Sequence, residues 1–316
     1  MTHRAPGDGS TGSTGATGWA RTARVAASTG LGRRQLWPLA LVAFLLRGGL
    51  VLYLAPIVVV PSTVGLVTFI GPTAITPAGP SEAFSRLLAG VLAGLVAWLV
   101  GGGLAAAAAE VALIERALPL AIHPAAAPRV LTVGLAARVL LIRLVVLLPL
   151  AAALAWSLPR IVGAAYRELT LPVDTASPVA FRVLRDVPEV LLLVLLAWLI
   201  GETVGGIAVR RIVLFGETGA AALVGALRHV VRRPATTLAT IAVAACGSAV
   251  LVVPGLAAAG LAWQRLGRVL AAGSDPVAIA LLTPLFVAAW LLGLVLAGAA
   301  ATWRSLAWTL EVRRTG

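Results

Sequence analysis

Apolar residues in this chain come in long runs separated by short polar connectors. Six of the runs are long enough to cross a hydrocarbon layer of about 30 Å as a helix, which takes about 20 residues. They cover 37–60, 87–109, 139–158, 190–209, 236–262 and 277–301. None alternates polar and apolar residues as a membrane barrel strand does, so each predicts helix. The expected fold is all-α: a polytopic transmembrane bundle of about six spans within 36–309. Residues 1–35 include "GDGSTGSTGATG", cannot bury a core, and are expected to form a disordered tail. Residues 310–316 read as a short second tail.

The even runs share a motif. "AWLVG" (97–101), "AWLIG" (197–201) and "AWLLG" (289–293) place Trp98, Trp198 and Trp290 near the middle of their spans, not in the interfacial belts that tryptophan favours. A run of small residues follows each copy: "GGLAAAAA", "ETVGGIA" and "LVLAGAAA". Gly90/Gly94 and Gly201/Gly205 have the GxxxG spacing that lets helix backbones approach. The second halves of the even spans are therefore expected to be the tightly packed part. The odd runs each contain a proline, Pro56, Pro149 or Pro254. Three hairpins, each a kinked helix followed by a straight one, is the expected organisation.

Two segments too short to span read as amphipathic. In 219–233, Leu223, Val224, Leu227, Val230 and Val231 share a face, and Arg228, His229, Arg232 and Arg233 lie towards the other, with Thr218 as N-cap and Pro234 as the break. It is either an interfacial helix with a basic surface at Arg228, Arg232 and Arg233, or an extension of the fifth span. Residues 160–186 read as two short surface helices around a proline-containing turn, and 61–85 as a loop or a re-entrant element.

Charge orients the bundle. With 60% hydrophobic residues, 12% charged residues and a mean hydropathy of +1.00, the chain is too apolar for a soluble domain. Its net charge of +13 is the balance of 25 arginines, with no lysine, against 12 acidic residues. Placing the N-terminus inside puts 17 arginines on the cytoplasmic side and seven outside, so six spans with both termini cytoplasmic satisfy the positive-inside rule. The expected location is the cytoplasmic (plasma) membrane of a bacterium with an Ala/Gly/Arg-rich, GC-rich genome. Anionic lipid headgroups, not nucleic acid, are the expected partners, because the arginines flank apolar runs. Arg33-Arg34 ahead of "QLWPLALVAFLL" loosely resembles a twin-arginine signal but lacks the residues that usually follow the pair, and reads as an anchor.

Lysine is absent, which removes Schiff-base, P-loop and Ser-Lys chemistry. One cysteine, Cys246, and three scattered histidines allow no intrachain disulfide and no HExxH site, and Cys246 reads as a small packing residue. Ser248 has no histidine in a span to activate it. No catalytic, cofactor-binding or metal-ligating residue is expected.

Arg47 stands out inside "FLLRGGLVLYLAP". An arginine at mid-membrane costs at least about 2.5–3.5 kcal/mol unless it is paired or faces the protein interior. Counted along the helices, Glu202 lies at nearly the same depth, so an intramembrane Arg47–Glu202 pair is one expectation, with Glu110 shallower. The other is that "RGG" ends a short helix over 36–46 and the first span is 48–70.

Over residues 157–263, "YRELTLPVDTASPVAFRVLRDVPEVLLLVLLAWLIGETVGGIAVRRIVLFGE" followed by "ALRHVVRRP" resembles uncharacterised six-span bacterial membrane proteins, distantly similar to the membrane domain found beside glycerophosphodiester phosphodiesterases. The resemblance implies a six-helix fold and assigns no functional residue. Two functions fit these features: a non-enzymatic scaffold or accessory subunit, and a transporter or permease subunit of an ATP-driven exporter that uses 219–233 to dock an ATPase.

Overall fold

The computed structural model describes residues 14–54, 57–58, 75–76, 79–117, 132–170, 179–273 and 275–315. Its helices are α1 (Thr14–Gly32), α2 (Trp37–Phe44), α3 (Leu50–Leu54), α4 (Glu82–Ala97), α5 (Gly103–Ala117), α6 (Val133–Thr170), α7 (Val179–Asp186), α8 (Pro188–Phe215), α9 (Gly219–Arg232), α10 (Pro234–Ala272) and α11 (Pro276–Thr315). A π-turn over Trp98–Gly102 joins α4 to α5 in one rod. A two-residue antiparallel ladder pairs Ile75–Thr76 with Gly79–Pro80. Six helical stretches are long and apolar enough to cross a membrane: Arg34–Leu54, Glu82–Arg116, Val133–Glu168, Pro188–Phe215, Pro234–Ala272 and Pro276–Arg314. This is the all-α, multi-pass architecture expected from the sequence.

The helices group into two compact units, residues 1–131 with 239–316, and residues 132–238. In the first, α2 packs on α5 and α11 around Leu36, Ala40 and Leu113, with Leu39 and Ala301 against them. Small residues set the spacing. A Cβ on Gly298 would stand 2.8 Å from the Trp37 carbonyl oxygen, and one on Gly255 would stand 2.8 Å from the Gly293 Cα. In the second unit α6 and α8 lie together, with Gly201 facing the Val146 carbonyl at 2.6 Å by the same measure. At one end of this pair Ala164, Val183, Val187 and Val190 form a core under α7. At the other, Gly216 adopts φ 70° after Phe215 and closes α8. Thr218 then accepts from the Ala221 N–H and starts α9, which packs against α8.

Several expectations need correction. Residues 14–32 are helical: Ala26 is buried against Leu306 and Ala307, and the Trp19 indole donates to Thr240 Oγ1 at 3.1 Å. Alanine and tryptophan among the Gly/Ser/Thr residues provide a packing face that composition alone hides. Residues 310–315 are not a tail either, because α11 runs to Thr315 with Glu311 and Val312 buried. Residues 160–170 form no separate helix. Pro159 sits inside α6, and Arg160 caps the local carbonyls by donating to Trp156 O at 3.3 Å while lying over the Trp156 ring. The second expected surface helix is α7. Pro284 lies inside α11, so proline does not mark the odd spans alone. Cys246 is exposed on its helix and does not pack. The tail 1–13, Pro56, most of 61–85 and the turn at 171–178 lie outside the described residues.

Candidate functional site

The first helical stretch breaks at the arginine. Arg47 (φ −91°, ψ 19°) and Gly48 (φ 106°, ψ −8°) leave helical geometry, and the chain resumes as α3 at Leu50. Positive φ at this value is open to glycine and strained for a side chain. The backbone thus ends a short helix at "RGG", as the second reading of this stretch expects. Its continuation over 48–70 is described only to Leu54 and at 57–58. Neighbours fix the break from both sides. A Cβ on Gly49 would fall on the Phe44 ring, Phe44 meets Tyr53 edge-on at 6.3 Å, and the fully buried Tyr53 donates its O–H to Gly293 O at 2.6 Å. Trp290 Nε1 donates to the Tyr53 carbonyl at 3.4 Å.

Arg47 and Glu202 find different partners, each within its own unit. Arg47 Nη1 donates to Glu110 Oε2 at 3.2 Å, and Glu110 is buried. Glu202 Oε2 lies 3.6 Å from Arg143 Nη1, in space that Gly205 leaves open. The depth count that matched Arg47 to Glu202 assumed a continuous first helix. With a break at Arg47, "shallower" Glu110 is within reach. Arg143 is one of the 17 arginines that the charge count puts on the cytoplasmic side. The available signal is that Arg143 lies inside its apolar run (139–158), as Glu202 lies inside its own (190–209). Two more pairs are internal to the second unit: Arg182 Nε donates to Glu168 Oε2 at 2.7 Å with both side chains buried, and Arg211 binds Glu217 through two N–H groups at 2.5 and 2.9 Å. Arg210, also buried, donates to Gly206 O at 2.7 Å.

The three "AWLxG" copies coincide with a change of surroundings. In each even span the residues before the motif are mainly exposed apolar side chains, and those after it are mainly buried. Residues 82–101 of the second span are almost wholly exposed, whereas Ala106, Ala107, Glu110 and Val111 beyond are buried. The fourth span changes at Gly201, after which Thr203–Arg210 are all buried; the sixth changes near Gly293, with Ala297–Ala300 buried. Trp98 and Trp198 stand half-exposed at the boundary, and Trp290 is partly buried against Tyr53. The packing glycines divide in the same way. Gly201 and Gly205 meet Val146 and Arg143, whereas Gly90 and Gly94 have open space around them. Those two belong to the exposed half, where sequence spacing alone could not place them.

On α9 the packing face is Ala222, Ala226 and buried His229, with Gly225 making room for Arg211. His229 therefore belongs to the inner face and not to the basic one. Arg228, Arg232 and Arg233 are exposed beside Val224, Leu227 and Val231. Arg233 (φ −133°, ψ 53°) separates α9 from Pro234, so the segment is its own helix and not an extension of the fifth span.

Compared with protein-family models, curated proteins and solved structures, the chain matches none. It is a multi-pass membrane protein by its six apolar helices.

Proposed function

We propose that this protein is a non-enzymatic scaffold or accessory subunit of the bacterial cytoplasmic membrane, with both termini inside, acting through its surfaces on lipids and on other membrane proteins. One observation carries the reading: among the described residues, three charge pairs in and beside the spans hold one element to another. Arg47–Glu110 ties the break between α2 and α3 to α5, Arg143–Glu202 ties α6 to α8, and Arg182–Glu168 ties α6 to α7. Such pairs fix geometry without supplying a reactive group. Among the described residues, the even spans expose apolar side chains before the motif, and α9 exposes a basic patch.

A second reading, the permease subunit of an ATP-driven exporter, draws on two observations. A helix broken at a membrane-region arginine is the kind of element that transporters use near a substrate. The exposed basic and apolar face of α9 would serve as the docking surface for an ATPase. Mild-detergent purification from native membranes followed by mass spectrometry separates the two readings. The scaffold reading expects recovery alone or with an unrelated membrane protein. A stoichiometric ATPase that is lost when Arg228, Arg232 and Arg233 are changed to glutamate would replace it with the permease reading.

A further inference from the structure

We propose that α9 carries a binding site for anionic phospholipid headgroups, formed by Leu227, Arg228, Val231, Arg232 and Arg233. The helix cannot turn to present another face, because Ala222, Ala226 and His229 are buried in its contact with α8. What faces outward is thereby set: Leu227 at 50% exposure, Val231 at 78%, and three exposed arginines. No acidic residue lies on α9, and the adjoining Glu217 is held by Arg211. The patch is thus uniformly cationic with apolar side chains between the charges.

Its distance from the bilayer follows from connectivity. Arg233 is joined directly to Pro234, the first residue of a 39-residue apolar helix long enough to span. Leu227 lies seven residues before Pro234, so the chain carries the whole patch within about 10 Å of that helix's first residue, at about 1.5 Å per helical residue. An apolar face at this depth seats about 5–10 Å into the headgroup and acyl boundary, and arginines beside it meet lipid phosphates. Charge complementarity and continuity with a helix long and apolar enough to span both favour a lipid surface over an acidic protein. The inference holds whether the protein is a scaffold or a permease subunit, because it concerns only what α9 rests on.

The test uses the full-length protein purified in mild detergent, with phosphatidylglycerol and phosphatidylcholine as probes and native mass spectrometry as the readout. Near a membrane surface each arginine contributes about fivefold to anionic lipid binding, so Arg228→Gln/Arg232→Gln/Arg233→Gln should weaken phosphatidylglycerol binding on the order of tenfold or more. Phosphatidylcholine binding should stay unchanged, and Arg232→Gln alone should fall between wild type and the triple variant. In nanodiscs, phosphatidylglycerol should raise the unfolding temperature of the wild type and not that of the triple variant. Equal binding of the two lipids by the wild type overturns the proposal, as does a triple variant that keeps wild-type phosphatidylglycerol binding. So does a triple variant that keeps its lipid preference but loses a co-purifying protein, which would make the face a protein-docking surface.

Discussion

Replacing glycine by alanine should have opposite effects at two helical positions, Gly94 in α4 and Gly247 in α10. At Gly94 nothing lies within 4 Å of the missing Cβ. The substitution there removes glycine's conformational freedom at no steric cost and should stabilise by about 0.5–1 kcal/mol. At Gly247 the missing Cβ coincides with the Trp303 indole, and Trp303 cannot retreat, because Gly30 of α1 approaches the Trp303 Cα so closely that its own Cβ would stand 3.1 Å away. Overpacking of this kind costs about 1–3 kcal/mol, which exceeds the backbone gain. Gly247→Ala should therefore lower the unfolding temperature by a few degrees, at about 2 °C per kcal/mol, while Gly94→Ala raises it slightly. Circular-dichroism melting in detergent micelles reads both. In a Trp303→Ala background the penalty at Gly247 should vanish, a non-additivity of about 1 kcal/mol or more. Equal shifts for the two alanine variants, or a Gly247 penalty that survives removal of the indole, would refute the packing of α1, α10 and α11 described above.

Three further outcomes follow from the same geometry. Gly48→Ala meets no atom, so its cost is the positive φ alone, about 1–2 kcal/mol in thermal melts, and Gly48→Asn should cost less. Arg47→Glu should lower membrane accumulation, as measured by quantitative immunoblotting, and Glu110→Arg should restore it, whereas Glu202→Arg should not. Glu168→Gln strands a buried guanidinium and should destabilise by about 3–5 kcal/mol in chemical unfolding, with the double change Glu168→Leu/Arg182→Met costing less than the single one.

Hydrophobic run length located every one of the six spans, because a bilayer leaves little choice for 20 apolar residues. The helix ends were less legible. α6, α10 and α11 extend well past their apolar cores, to 38, 39 and 40 residues, because charged and small residues continue a helix once neighbours cover it. The Gly/Ser/Thr-rich start concealed α1 for the same reason: Ala26 is a packing residue only because α11 extends far enough to meet it. Pairing was the hardest feature to read. Depth along a straight rod pointed Arg47 at Glu202, and the single glycine that breaks the rod brings Glu110 into reach instead. The "AWLxG" motif was visible, but what it marks, the passage from exposed to buried helix, depends on neighbours far along the chain.

That passage is tested most directly by site-directed spin labelling in a Cys246→Ser background, with the protein in lipid nanodiscs. Labels at Leu92, Leu95, Leu195, Leu281 and Leu285 should be more accessible to oxygen than to a water-soluble nickel chelate, since these side chains lie before the motif and face outward. Labels at Ala107, Ala208 and Ala299, beyond the motif, should be immobilised and shielded from both. Chelate access along the first set, or free motion along the second, would contradict the passage, within each even span, from outward-facing apolar helix to packed helix.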